Sequence, residues 1–250
     1  MTSATVIEAL ALPSDCRVGQ RVPKKLLTEN GAPTAADKRH INDGLEELLW
    51  LAALKPTNIG IPAFRDHARE YLEIAVLSAT LRSEARVPRI TELIHRSIPY
   101  PVVLITTQGS ALTFSAAHKR WSEGEAGQVV LEDTVATAVL SAGTAVEQDF
   151  VATLSLATQP RQDLFTLYHG WLDRIAALAA SRLTGAFVLA ETPAAAAARR
   201  AALGDHAQLQ RELASLRAQA AKEKQINRRV ALNLDIQRLE AQMRGLGEAL

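Results

Sequence analysis

The residues able to do acid–base, metal or nucleophilic chemistry are dispersed along this chain. Its six histidines, His40, His67, His95, His118, His169 and His206, stand far apart. None forms a His-Glu-x-x-His or related pair that would set two imidazoles on one helix face. Asp66, Glu70 and Glu73 come closest to a metal-dependent nuclease of the restriction-enzyme type. Such enzymes set carboxylates on a sheet, with a lysine two residues after one of them. Here Glu73 is followed by Ile74 and Ala75, so the lysine is missing and the acids read as charges at a strand start. His118-Lys-Arg120 reads likewise as a solvated strand end. Ser110 follows Gly109 without the rest of a Gly-x-Ser-x-Gly elbow. Neither Gly-x-x-x-x-Gly-Lys-Ser/Thr nor Gly-x-Gly-x-x-Gly, the glycine loops that cradle phosphates, occurs. Cys16 is the single cysteine, which leaves no disulfide frame and no thiolate metal site. The expectation is no catalytic residue, no metal and no cofactor.

The elements that must position these groups centre on residues 69–120. Residues 72–77 and 99–107 read as strands, with a helix over 90–96 between them. Val102 to Ile105 is a continuous apolar run, the pattern of a central strand buried on both faces. Pro99 and Pro101 cannot donate ladder bonds and mark where that strand begins. Gly109 supplies the positive φ of a tight hairpin turn into a strand over 111–117.

Upstream, Thr2 or Ser3 starts a short helix that Pro13 stops, and residues 16–22 are extended. The basic cluster Arg21-Val-Pro-Lys-Lys25 reads as a solvated turn, with an anion-binding loop as the sharper alternative. Thr34 and Asp37 make a weak capping box for a helix expected to run to about Leu54. Ile41, Leu45, Leu48, Leu49 and Ala52 recur on it at helical spacing. A short strand is expected over 59–61. Downstream, 128–131 and 134–140 read as strands, and 150–156 as a strand or short helix. Asp163 caps a clear helix through Leu183, which Gly185 ends.

The C-terminal segment differs in character. From Arg199 onward ten Lys/Arg stand against six Asp/Glu, a local +4, while the rest of the chain carries −3. Pro193 and the alanine run after it suit the start of a long helix. Leu209, Leu213, Leu216 and Ala220 follow coiled-coil seam spacing, and Leu232, Ile236, Leu239, Met243, Leu246 and Leu250 follow it again. The two seams do not share one register, so the helix bends or breaks within 222–229. Such ridges must fold onto the body, pair with a copy, or receive another protein. Leu209, Leu213, Leu216, Ile236, Leu239 and Met243 are therefore the candidate partner-binding residues. Lys222, Lys224, Arg228 and Arg229 are the candidate nucleic-acid contacts. No segment is apolar enough to span a membrane, and no basic-then-apolar leader opens the sequence, so a cytoplasmic protein is expected.

Four stretches carry a resemblance to a known family. They are Arg21-Val-Pro-Lys-Lys25, Leu54-Lys-Pro-Thr-Asn-Ile59, Leu93-Ile-His-Arg-Ser-Ile-Pro-Tyr-Pro-Val-Val-Leu104 and Lys222-Glu-Lys-Gln-Ile-Asn-Arg-Arg-Val-Ala-Leu-Asn233. The chain resembles an uncharacterised bacterial family, domain of unknown function 4391, over almost its whole length. The resemblance implies a place beside helicases and DNA methyltransferases in restriction or phage-defence systems. It carries over no catalytic residue.

The fold expected is α+β, a mixed sheet flanked by helices over residues 1–190, with a helical, coiled-coil-like extension over 191–250. The function expected is a non-enzymatic accessory or scaffold subunit of a DNA-defence assembly. It would dock on a helicase or methyltransferase, or self-associate, through the tail. The alternatives are a nucleic-acid-binding module using the basic tail and a divergent metal-dependent nuclease.

Overall fold

The computed structural model describes residues 1–125, 127–140 and 143–248. The chain divides into two units, Met1–Ile175 and Ala176–Leu250. In the first, helix α1 (Ser3–Ala9) is capped by the Thr2 hydroxyl, which accepts from the Thr5 N–H at 3.2 Å. Strand β1 (Arg17–Arg21) leads through Pro23 into α2 (Lys24–Asn30) and α3 (Ala35–Gly44). Thr34 caps α3 as expected, accepting from the Asp37 N–H at 3.1 Å and donating to its carboxylate at 2.7 Å.

That helix does not reach Leu54. It ends at Gly44, and residues 45–54 form strand β2 (Leu45–Leu54), paired on both sides. The helical spacing of its leucines has another cause. The pairing of β2 with the next sheet strand shifts register between Leu45 and Glu47 and again between Trp50 and Ala52. Each irregularity resets the inward–outward alternation. The first puts Leu45 and Leu48 on one face, in the core with Leu77 and Ala79, and the second turns Ala52 to the other face beside Val76; both faces are covered, so all three are buried from a strand. The expected short strand at 59–61 is also absent. Ile59 closes the single turn α4 (Pro56–Ile59), and Gly60 follows at φ +66°.

Two short strands, β3 (Phe64–Arg65) and β4 (Glu70–Tyr71), pair with each other ahead of β5 (Ile74–Leu81). Helix α5 (Val87–Ser97) then crosses over to β6 (Val102–Gln108), which lies parallel to β5 with Ala75 opposite Val102. Parallel neighbours need such a crossover. The turn at Gly109, φ +57°, returns the chain as β7 (Ala111–Ala116), antiparallel to β6. Val102, Val103, Leu104 and Ile105 are fully buried, as their apolar run required. A hairpin of β8 (Lys119–Trp121) and β9 (Val129–Leu131) follows, then β10 (Ala136–Leu140). The main sheet has the order β1-β2-β5-β6-β7-β10 and is mixed, so the fold is α+β. Over 150–156, where a strand or a short helix was expected, residues 150–152 end helix α6 (Ala145–Ala152) and Leu156 opens a 3-10 turn.

Helix α7 (Leu164–Thr184) starts where Asp163 accepts from the Thr166 N–H at 2.8 Å. It buries Leu164, Leu167, Tyr168 and Trp171, and Gly185 at φ +82° ends it. The Tyr168 hydroxyl lies 2.7 Å from Val102 O and accepts from the Ala117 N–H at 2.8 Å, which ties α7 to β6 and to the end of β7.

The second unit is built on α8 (Pro193–Lys222) and α9 (Ile226–Glu248). Thr192 caps α8, accepting from the Ala195 N–H at 3.1 Å. The helix breaks at residues 223–225, inside the stretch where the two seams fall out of phase. Arg217 pairs with Glu240 at 2.7 Å, and Leu209 shares a cleft with Leu246. The two helices therefore run antiparallel against each other.

Candidate functional site

The tail residues singled out in the sequence fall into two groups. Leu213 is buried, and Leu209, Leu216, Ile236, Leu239 and Met243 are half-buried. The register set by Arg217 and Glu240 brings Leu213 level with Met243 and Leu216 level with Leu239. The seams are thus turned on each other, a solution that sequence reasoning did not weigh. Leu250, the last residue of the second seam, lies outside the described residues. Lys222, Lys224, Arg228 and Arg229 are all exposed, and among the described residues none is in an ion pair.

A third group was missed. Ile226, Val230 and Leu234 are 69%, 53% and 56% exposed. At 3.6 residues per turn, this four-residue spacing places them on one face of α9, opposite its seam. The four cations lie near the N-terminal end of this ridge in the chain, Lys222 at the end of α8, Lys224 in the break, and Arg228 and Arg229 in the first turn of α9. The signal was present in the sequence, but the longer seam absorbed it.

The other concentration of chemistry is at one end of the main sheet. The ends of β2 and β7 meet the starts of β5 and β6 there, because Leu54 pairs with Ile74, Ala75 with Val102 and Val103 with Ala116. His95, on α5, is fully buried, with Nε2 3.0 Å from Ser115 Oγ and Nδ1 without a partner. Burial, then the nearby Lys119 charge, lowers its pKa to about 3, so it stays neutral. Lys119 is not the solvated strand end expected of it. It is 4% exposed, and its ammonium donates to His95 O at 2.5 Å and to Ile98 O, capping the C-terminus of α5. Burial lowers its pKa to about 7.

Beside it runs a polar chain. The Tyr71 hydroxyl lies 2.6 Å from His118 Nδ1, and His118 Nε2 lies 2.8 Å from His169 Nδ1. His169 Nε2 stands 3.7 Å from Asp173 Oδ1. Phe165 stacks on His118 at 4.8 Å. Tyr71 is fully buried, and burial raises its pKa, so the phenol stays protonated. His118 and His169 are far apart in sequence and meet because α7 packs on this sheet end, so no local pattern announced them.

The acids of the nuclease alternative are each engaged. Asp66 accepts from the Ala68 and Arg69 N–H groups at 2.7 and 2.5 Å. Glu70 pairs with Arg65. Glu73 pairs with Lys55 at 3.0 Å, so a lysine does reach it, from the residue between β2 and α4 rather than from two residues along. Among the described residues no group of three metal-ligating side chains exists. In Arg21-Val-Pro-Lys-Lys25, Arg21 stands 3.9 Å from Glu47, Lys24 donates to Asn42 O at 3.0 Å and Lys25 stands 3.7 Å from Glu29.

The model of the family named Domain of unknown function (DUF4391) matches residues 10–243. The chain belongs to the DUF4391 family. No curated protein and no solved structure matches it. Two of the stretches that carried the DUF4391 likeness, 54–59 and 93–104, converge on the sheet end just described. Another, 222–233, spans the break between α8 and α9 and the first turns of α9. No helix among the described residues is long and apolar enough to cross a membrane.

Proposed function

We propose that this DUF4391 chain is a non-enzymatic docking subunit that receives an acidic amphipathic helix of a partner protein on the outer face of α9. The observation that carries this is the ridge of Ile226, Val230 and Leu234, exposed at i, i+4 and i+8 beside Lys222, Lys224, Arg228 and Arg229. An aliphatic ridge is of no use to a phosphate backbone, whose recognition rests on cations and on aromatic or polar side chains. It suits a helix that carries apolar residues at the same spacing, and the cations select one with acidic flanks. That favours a protein over nucleic acid, and it moves the docking residues from the two seams to the outer face. The resemblance supports a helicase or DNA methyltransferase of a restriction or phage-defence assembly as the partner.

The test is co-expression with the proteins encoded beside the chain, in parallel with titration of duplex and single-stranded DNA at two salt concentrations. Recovery of a stoichiometric complex, lost on Ile226→Ser with Val230→Ser, supports docking. Tight DNA binding that weakens steeply with salt, with no protein complex, replaces it by the nucleic-acid reading.

A further inference from the structure

Lys119 is buried, and among the described residues no carboxylate pairs with its ammonium. Its ammonium has three N–H bonds, and the carbonyls of His95 and Ile98 take two of them. Carbonyl oxygens carry no formal charge and the C-terminus of α5 offers only a partial one, so a protonated Lys119 leaves one donor free and its charge only partly compensated in a poorly hydrated place. Lys119 also lines a cleft of about 200 Å³ with Glu70, Leu72, Pro99, Tyr100 and Trp121. Glu70 is held by Arg65. Lys119 and Trp121 are two apart on β8 and so project to the same side of that strand. Tyr100 is 39% exposed and tilts against Trp50 at 6.3 Å, not against Trp121. Leu72 is 46% exposed. The cleft is thus lined by two cations, Lys119 and Arg120, by Glu70, and by aromatic and apolar side chains.

We propose that this cleft binds a small anion carried on a planar ring, with the acidic group on the Lys119 ammonium and the ring against Trp121 and Tyr100. A nucleoside monophosphate and an aromatic carboxylate share that chemistry. The anion supplies the missing acceptor and the missing charge together, and the ring covers aromatic surface that is otherwise wet. Binding is coupled to protonation of Lys119. The titratable and charged groups around it are His95 on α5, Tyr71 and Glu70 on β4, and His118 and Arg120 on either side of it in the chain. His95 and Tyr71 stay neutral across the range of interest, for the reasons given above. The bound anion holds the proton on Lys119, whereas free protein releases it as pH rises through about 7. Above that point each binding event takes up a proton, and affinity falls about tenfold per pH unit.

The experiment is titration of the full chain with AMP and, separately, with benzoate, followed by tryptophan fluorescence and calorimetry between pH 7 and 9. The expected result is saturable binding of at least one of the two, weakening by about tenfold per pH unit. Trp121→Ala, at a half-exposed position, weakens it by about tenfold again without loss of fold. Preference for AMP over both adenosine and inorganic phosphate assigns a nucleotide, and preference for benzoate assigns a carboxylate. Failure of both to bind, binding with no pH dependence, or binding unchanged by Trp121→Ala each overturns the proposal. The pH profile of the unaltered protein keeps the test valid even where Lys119→Met, which strips the α5 carbonyls of their donor, fails to fold.

Discussion

His95 shows what burial does to a group that looked unremarkable in the sequence. Its folded pKa of about 3 lies below the ordinary imidazole value of 6.5. Between those two values the unfolded chain binds a proton that the folded chain refuses. The contribution of His95 to stability is therefore complete above about pH 6.5 and falls as pH drops toward 3, by roughly tenfold in the unfolding equilibrium per unit. Chemical denaturation of His95→Gln at pH 7 and pH 5 is expected to show a much smaller loss on acidification than the parent. Equal losses would mean that another group carries the acid sensitivity. Lys119 works in the same sense at higher pH. Its folded pKa of about 7 lies below that of a free lysine, so stability rises with pH from about 7 to about 10.5. A denaturation series across that range is expected to flatten in Lys119→Met. Neither burial was legible in the sequence. Histidine and lysine are mostly exposed residues, and both are buried here because β7 and β8 carry Ser115 and Lys119 against α5.

The segments at the level of elements divide by what fixed them. The run from β5 through α5 and β6 to β7 was legible because it is punctuated by Pro99, Pro101 and Gly109 around an apolar run with no alternative reading. The β2 segment was misread because two register irregularities gave a strand the leucine spacing of a helix. The sheet claimed it, since β1 and β5 both need a partner and β2 bonds to both. Close packing of helices sets a second constraint, at the end of α2. A Cβ built on Gly31 would lie 1.9 Å from Ser97 Oγ and 2.9 Å from the Leu93 carbonyl oxygen, both on α5. The Ser97 hydroxyl is itself held, donating to Leu93 O at 2.7 Å. Gly31→Ala is expected to cost about 2 kcal/mol, as overpacking does where the neighbours cannot move. Thermal unfolding checks it, and an unchanged melting temperature would show that α2 is free to shift.

At the scale of the whole molecule, the sequence showed two apolar seams, a phase slip between them and a basic stretch at the slip. It did not show that the seams close on each other, because spacing along one helix says nothing of which helix it faces. Once Leu213 and its neighbours are turned inward, Ile226, Val230 and Leu234 are the large apolar side chains that α9 leaves exposed among the described residues. Burying an aliphatic side chain contributes on the order of 1.5–3 kcal/mol. Losing one of the three should therefore weaken a complex by roughly tenfold or more, while changing the stability of the isolated chain little. Replacing Lys222 and Lys224 by Glu is expected to slow association and to remove its salt dependence, measured as the on-rate at two ionic strengths. An unchanged rate would place the cations outside the contact.

The most direct measurement of the docking claim is the mass in solution, by light scattering, of the chain co-expressed with its encoded neighbours. It is made for the parent and for Ile226→Ser, Val230→Ser, Leu234→Ser combined. The expected masses are a monomer for the parent alone, a heteromeric complex with one neighbour, and a folded monomer for the variant in the same mixture. A variant that still forms the complex, or a parent that stays monomeric with every neighbour, would contradict the docking claim.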